Sequence, residues 1–199
     1  MKSIFYKYPV IYEWSIRFLY WDGLKILKNI IGRKKSVFEA ASGYGRMKKY
    51  IYPDCSYSGI DLNETFIQYG RKKHRNIWLG NIFDRSMYKK ADVILLCDIL
   101  HHLKIKEMFE LVAIAAEFAR EKVVIIEPVF VDIGAKDNFI SRFIGKIMKI
   151  LDADGLNEIE RWLSKEEYHQ LFHSFREING LKEMVVRNHR NHDFVILTV

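Results

Sequence analysis

Short apolar runs alternate with segments of helical periodicity along the first two thirds of the chain. Five runs rich in β-branched and aromatic residues, each bounded by charge or glycine, predict β-strands. They span residues 36–40, 57–60, 77–79, 93–97 and 123–126. Between the last two runs, apolar residues recur every three or four positions from Met108 to Phe118, the pattern of an amphipathic helix. Strands that alternate with helices indicate a parallel sheet with helices on both faces.

The pattern changes after the fifth predicted strand. A long helical stretch covers residues 138–151, and a further helix is predicted to begin at Ser164, where Glu167 completes a capping box. Two final strand-like runs, 183–187 and 194–199, flank a short polar turn and predict an antiparallel hairpin. The whole pattern therefore predicts a mostly parallel α/β sheet of seven strands, closed by an antiparallel C-terminal hairpin.

Composition adds limits on size, compartment and partners. The chain has 199 residues, 49% of them hydrophobic, which suits one well-buried domain. It contains no run of about 20 apolar residues, and its two cysteines lie far apart, so we expect a soluble, cytoplasmic protein with reduced thiols. The net charge of +7 is spread over small basic groups, which leaves solvated helix ends and an anionic partner as alternatives.

The first predicted strand leads directly into a glycine turn, Ala41-Ser42-Gly43-Tyr44-Gly45, and then into a predicted helix. Gly43 and Gly45 allow positive φ and let backbone N–H groups approach a ligand that a side chain would keep away. Glu39 adds a carboxylate close to the end of the strand. This arrangement is typical of nucleotide-like cofactor sites, although plain strand-to-helix connections share it.

Polar residues also follow the other predicted strands. Asp61 stands 22 residues after Glu39, Asn81 follows the third strand, Asp98 the fourth, and Glu127 closes the fifth. Ligands of open parallel sheets bind outside the carboxyl ends of the strands, so these side chains are expected to face one site. A carboxylate at Asp61 suits the two hydroxyls of a ribose, and an Asn amide with the following N–H suits the edge of an adenine. Taken singly, each residue could instead form a turn or cap a helix.

The glycine spacing argues against two common nucleotide sites. A dinucleotide fingerprint needs a third small residue, but Lys48 occupies that position when counted from Gly43, and Arg46 occupies it when counted from Ala41. A phosphate-binding loop would need a Gly-Lys-Ser/Thr run, which the sequence lacks.

The segment from Ser36 to Pro128 resembles class I S-adenosylmethionine-dependent methyltransferases, which have a Rossmann-like, doubly wound fold. The run from Glu39 to Gly45 is similar to the family's first cofactor motif, and Asp98 to Leu103 resembles its loop after the fourth strand. The resemblance implies S-adenosyl-L-methionine as cofactor. It implies that the cofactor is bound by Glu39, Ala41, Ser42, Gly43, Gly45, Asp61, Leu62, Asn81, Ile82 and Asp98.

This chain departs from the family pattern at two positions. Ala41 stands where the first glycine of the motif is usual, and Asn81 stands where an Asp more often contacts the adenine amine. We expect Ala41 to be accommodated because its small side chain fits the extended backbone of a strand end.

The resemblance also implies a single methyltransferase domain over residues 1–199. Within it we expect an aromatic N-terminal helical cap (1–35), a cofactor-binding half (36–128), a helical substrate-side insertion (129–182) and the terminal hairpin (183–199).

Methyl transfer from S-adenosylmethionine requires alignment of a nucleophile and exclusion of water, and it needs no metal. His101, His102 and Glu127 are the candidate catalytic residues. The two histidines are the best-placed groups for a general base, and Glu127 is expected to line the acceptor pocket. Packing, capping or simple strand closure are the alternatives for these three. His169 and His173 have the spacing of a zinc pair, but a third ligand is missing, so no metal site is predicted.

The acceptor is expected to be a small molecule methylated at an O, N or C atom. The amphipathic stretch 138–151 leaves an apolar or lipid-linked acceptor, or peripheral membrane contact, as alternatives to core packing. No specific nucleic acid is expected, because the chain lacks the Asn-Pro-Pro-aromatic tetrapeptide that holds a flipped base. The rival hypothesis is a non-catalytic relative of the same fold, acting as a scaffold or a nucleic-acid-binding module through its basic surface.

Overall fold

The computed structural model describes residues 23–128, 165–189 and 192–199. Seven strands form one sheet, and they lie side by side in the order β3-β2-β1-β4-β5-β7-β6. The strands are β1 (Ser36–Ala40), β2 (Ser56–Asp61), β3 (Ile77–Leu79), β4 (Ala91–Cys97), β5 (Ala119–Pro128), β6 (Glu183–His189) and β7 (His192–Thr198).

The first five strands are parallel, whereas β7 is antiparallel to both β5 and β6. The predicted fold class, a mostly parallel seven-stranded sheet with an antiparallel C-terminal hairpin, is confirmed. β5 is longer than the predicted strand 123–126. The prediction began too late because Arg120, Glu121 and Lys122 interrupt the apolar pattern, although Lys122 already pairs with Val93 of β4 and with Thr198 of β7.

Helices cover both faces of the sheet. They are α1 (Leu27–Ile31), α2 (Glu64–Lys72), α3 (Ile105–Phe118) and α4 (Lys165–Ser174). The segment that follows the glycine turn forms a single 3₁₀ helix, Arg46–Tyr50, in place of a longer α-helix.

Successive residues of a strand point to opposite faces, and this alternation divides the core in two. Val37 packs on the face that carries Leu27 of α1 and Ile67 of α2. Phe38, the next residue, packs on the face that carries α3 and Phe172 of α4. Both faces of β1 are therefore buried, which explains why the parallel strands have near-continuous apolar sequences.

The strand order reverses at β1, which lies between β2 and β4. Glu39 is the register partner of Gly59 on one side and of Leu95 on the other. At such a reversal, the connections that follow neighbouring strands run in opposite directions. A crevice therefore forms beyond the carboxyl ends of these strands. The glycine turn that follows Ala40 lies at this crevice.

Several predicted features lie outside the described residues. These are the aromatic N-terminal segment up to residue 22, the helix over 138–151, and Ser164 of the predicted capping box. Among the residues that the structure describes, no helix has the length and apolar character needed to cross a bilayer.

Candidate functional site

A cavity of about 300 Å³ lies at the carboxyl edge of β1, β2 and β4. Every residue that the sequence predicts to bind the cofactor lines it, except Gly45. Those residues are Glu39, Ala41, Ser42, Gly43, Asp61, Leu62, Asn81, Ile82 and Asp98. Side chains that are distant in sequence thus converge on one site because the parallel strands end at the same edge.

The glycine turn is built from left-handed backbone. Gly43 has φ of 54° and Gly45 has φ of 76°, values that glycine adopts without a steric penalty. Ala41 also has a positive φ, 59°, so the expectation of extended backbone at this position was wrong. The turn is closed by hydrogen bonds from the Ser42 N–H to the Ile60 carbonyl and from the Gly45 N–H to the Ser42 carbonyl, both 2.8 Å. The chain reverses at the strand end sharply enough to require left-handed geometry even from an alanine.

Asp61, at the end of β2, joins the glycine turn to the next loop. One carboxylate oxygen accepts a hydrogen bond from the Gly43 N–H and the other from the Asn63 N–H, each at 2.7 Å. Each carboxylate oxygen has two lone pairs, so a carboxylate can accept several hydrogen bonds, as the paired hydroxyls of a ligand would require. The bonds from Gly43 and Asn63 hold the carboxylate in a fixed orientation at the cavity wall.

Asn81, at the end of β3, uses its amide oxygen locally by accepting a hydrogen bond of 2.9 Å from the Phe83 N–H. Its amide nitrogen, a donor, is therefore the group that it can offer to a ligand. Ile82 and Phe83 line the cavity beside it, and Leu62 adds an exposed apolar side chain. This end of the cavity combines a hydrogen-bonding edge with flat apolar surface.

Glu39 is buried at the cavity wall, and its carboxylate accepts a hydrogen bond from the Tyr57 hydroxyl of β2. Burial raises the pKa of the Glu39 carboxyl to about 8, against the opposing effects of the Tyr57 hydrogen bond and the Arg46 charge. Sequence reasoning missed Tyr57. The available signal was a phenolic hydroxyl in an otherwise apolar strand, and such a group needs a partner when it is buried.

Asp98 follows β4 in a left-handed conformation, with φ of 53°. One of its carboxylate oxygens lies 3.2 Å from the Arg46 guanidinium, and both side chains are largely shielded from solvent. Arg46 lines the cavity too and was not predicted as a site residue, although it follows directly after the last glycine of the turn. The ion pair connects the loops after β1 and β4 across the crevice.

The three predicted catalytic residues occupy different places. His102 lines the cavity. Glu127 is buried and accepts hydrogen bonds from the backbone N–H groups of Ile99 (3.0 Å) and Leu100 (2.7 Å). Its other oxygen lies 2.7 Å from Nδ1 of the buried His101. His101 and Glu127 thus pair with each other behind the cavity wall. Of the three residues, only His102 is part of the described wall.

A second histidine–carboxylate pair lies one strand further along the sheet. Asp193 of β7 is the register partner of Glu127 and is fully buried. It accepts a hydrogen bond of 2.9 Å from the Asn188 amide and lies 3.0 Å from Nε2 of His169. His169, which has the spacing of a zinc pair with His173, therefore lies against a carboxylate of the hairpin.

No protein-family profile and no curated protein sequence matches this chain. Solved structures do share its fold. A methyltransferase from Thermotoga maritima is 16% identical with a TM-score of 0.67, and the match covers 98% of this chain and 97% of that one.

Human N-acetylserotonin methyltransferase, solved with S-adenosylmethionine, is 13% identical with a TM-score of 0.66 over 94% of this chain. An O-methyltransferase family protein from Burkholderia thailandensis is 16% identical with a TM-score of 0.65 over 90% of this chain. The present chain spans only 54% and 56% of the lengths of these two proteins. Its fold is therefore the Rossmann-like fold of class I methyltransferases.

Proposed function

We propose that this chain is an S-adenosylmethionine-dependent methyltransferase that moves a methyl group to an O, N or C atom of a small-molecule acceptor. The observation that carries the proposal is the convergence of polar groups from successive strand ends on one cavity at the reversal of strand order. A cavity of this size lies at the lower end of the range for small-molecule sites. The shared fold adds support.

Two buried oxygens at the cavity fit the proposed cofactor. Among the described residues, the Ser42 hydroxyl oxygen and one carboxylate oxygen of Asp98 have no hydrogen-bond partner. Both residues line the cavity. A buried polar atom is costly unless a ligand or water supplies a partner, and the cofactor carries ammonium and hydroxyl donors. The residues present therefore suit a ligand with that donor set.

Each part of the wall has a proposed role. Asp61 accepts hydrogen bonds from the ribose hydroxyls, and Asn81 with the Ile82 N–H binds the edge of the adenine, against which Leu62 packs. The turn formed by Ala41, Ser42, Gly43 and Gly45, together with Glu39 and Asp98, surrounds the amino-acid end of the cofactor. The proposed polar contacts use the Asp61 and Asp98 carboxylates, the Ser42 hydroxyl and the Asn81 amide nitrogen. The N–H groups of Ser42, Gly43 and Gly45 are not among them, because they donate to Ile60, Asp61 and Ser42 within the protein.

When bound, S-adenosylmethionine supplies a methyl group that is already activated by its sulfonium charge. The chain must then align the acceptor, exclude water and accept a proton where the acceptor carries one. We propose that His102 accepts that proton as a general base, because it is the only one of the three candidate catalytic residues that lines the described cavity. His101 and Glu127 would then hold the His102 loop in position.

Calorimetric titration with S-adenosylmethionine tests the cofactor proposal. The intact protein should bind it, and Asp61→Ala should weaken binding at least about tenfold, since hydrogen bonds to a carboxylate contribute about 1.5–3 kcal/mol each. Asp54→Ala is the matched control, because it removes an exposed carboxylate that precedes the other end of β2. Its affinity should equal that of the intact protein.

Absence of cofactor binding, or equal binding by the intact protein and Asp61→Ala, would contradict the proposal. Salt-sensitive binding of RNA or DNA without cofactor affinity would instead support a non-catalytic relative. Formation of S-adenosylhomocysteine with hydroxyl, amine, carbon-acid and lipid-linked acceptors then identifies the acceptor class.

A further inference from the structure

The two edge strands of the sheet differ in how well they are protected from further pairing. β3 has only three residues, and a short edge strand gives another strand little to pair with. β6 has seven residues and pairs with β7 along its whole length without a register shift. It contains neither proline nor lysine, which often protect sheet edges. Among the described residues no strand lies on its outer side, so its outer backbone groups are open to one.

One face of β6 carries a regular pattern of exposed side chains. Glu183, Val185 and Arg187 share this face, since alternate residues of a strand point the same way. All three are exposed, and Val185 is 37% exposed despite being apolar. Its register partner on β7 is Ile196, which is half-buried. The face therefore has an apolar centre with an acidic residue on one side and a basic residue on the other, at equal distances along the strand.

The two charges of this face do not neutralise each other within one chain. Glu183 and Arg187 are four residues apart, which is roughly 13 Å along a strand. Among the described residues, neither has an ion-pair partner. A neighbouring strand with a guanidinium and a carboxylate at the same spacing, in the reverse order, would pair with both. The same strand of a second copy, running in the opposite direction, has that order.

We propose that β6 pairs with β6 of a second copy of this chain, antiparallel about a two-fold axis at Val185. Such an axis, perpendicular to the sheet, joins the same patch of both copies and keeps equivalent faces on the same side. Glu183 then lies opposite the second copy's Arg187, and Arg187 opposite its Glu183, with the two Val185 side chains between them. Opposite charges directly across an antiparallel pair stabilise it, whereas like charges destabilise it.

The proposed pairing closes at two copies. It occupies the outer edge of β6 in each copy, and the remaining edges are the short β3 strands. It also leaves the cavity open, because β5 and β7 separate β6 from β4. One strand from each copy makes an interface at the low end of the size range for specific complexes, so we expect a dissociation constant in the micromolar range. The inference does not depend on methyl transfer.

Sedimentation velocity over a series of protein concentrations tests the pairing. The mass of the intact protein should rise from one chain to two and no further. Glu183→Arg places two guanidinium groups opposite each other at both charge pairs, and Arg187→Glu does the same with carboxylates. Each variant should raise the dissociation constant at least about tenfold, because like charges across an interface are costly.

A mixture of the two single variants tests the register itself. The Glu183→Arg chain has two positive charges on this face and the Arg187→Glu chain has two negative charges, so together they restore both pairs. We expect a one-to-one heterodimer, although neither variant dimerises well alone. The double variant Glu183→Arg/Arg187→Glu should dimerise like the intact protein. Glu110→Arg, which makes the same charge change at an exposed position of α3, is the matched control and should leave the dissociation constant unchanged.

Val185→Lys places two ammonium groups at the axis and should leave a monomer. Its thermal unfolding should match that of monomeric Glu183→Arg, since both side chains are exposed. An intact protein that stays monomeric at every concentration would overturn the inference and leave the edge for a strand of another protein. Assembly beyond two copies, or a mixture of the single variants that associates no better than either alone, would also overturn it. None of these outcomes involves cofactor binding, so the proposed function stands or falls separately.

Discussion

Ala41 shows how strongly the glycine turn constrains single residues. Its φ of 59° lies in the left-handed region, which costs an L-residue other than glycine about 1–2 kcal/mol. The neighbouring turn positions with positive φ, Gly43 and Gly45, carry no such penalty. Ala41 therefore stores strain at the wall of the candidate site.

Replacing Ala41 by glycine should relieve that strain. Glycine loses more conformational entropy on folding, so we expect a net gain of about 0.5–1 kcal/mol in the free energy of unfolding, measured by urea denaturation. Ala40→Gly is the matched control, because Ala40 is the last residue of β1, where glycine should destabilise the protein. Loss of stability in Ala41→Gly equal to that of the control would contradict the left-handed geometry.

At the scale of elements, the loop after β4 depends on one buried side chain of β5. Glu127 accepts hydrogen bonds from two backbone N–H groups of this loop and pairs with His101. The loop also carries Asp98 and His102 into the cavity wall. The shape of this loop therefore depends on Glu127, a residue that does not line the cavity.

Glu127→Ala should leave these buried donors without an acceptor. We expect a loss of about 2–4 kcal/mol in unfolding free energy and weaker cofactor binding, with Glu127→Gln less affected because it keeps one acceptor oxygen. Glu110→Ala, which removes an exposed carboxylate from α3, should change stability by less than about 0.5 kcal/mol. Denaturation curves for Glu127→Ala and Glu110→Ala that coincide would show that Glu127 does not support the loop.

At the scale of the whole molecule, helix α4 is joined to the terminal hairpin by a polar contact as well as by apolar packing. Phe172 packs in the core beneath the sheet, and His169, one turn earlier, contacts the fully buried Asp193. A buried carboxylate is costly without partners, so this contact also makes the position of Asp193 in β7 tolerable.

His169→Ala should therefore destabilise the protein by about 1–3 kcal/mol, since among the described residues Asp193 would keep only the Asn188 amide as a side-chain partner. His173→Ala on the same helix is the matched control, because His173 is exposed. Thermal unfolding should show a decrease of several degrees for His169→Ala and little change for the control. Equal melting temperatures would contradict the proposed role of the pair.

The sequence by itself determined the order and type of the elements, because strand and helix periodicities are local properties of the chain. The runs at 36–40 and 77–79 even match β1 and β3 at both ends. The polar residues at strand ends were also predictable, since parallel strands bring their carboxyl ends to one edge. Asp61, Asn81 and Asp98 accordingly meet at one cavity.

Only the tertiary structure decided which side chains pair. Three such pairs join residues that are far apart in the sequence, so no local pattern connects them. The separations are 18 residues for Tyr57 and Glu39, 52 for Arg46 and Asp98, and 26 for His101 and Glu127. The left-handed geometry of Ala41 was hidden for a similar reason, since it follows from how sharply the packed strand must turn. Burial, which raises the pKa of Glu39, is likewise a property of the assembled sheet, because water is excluded only once neighbouring strands and helices close around the carboxyl group.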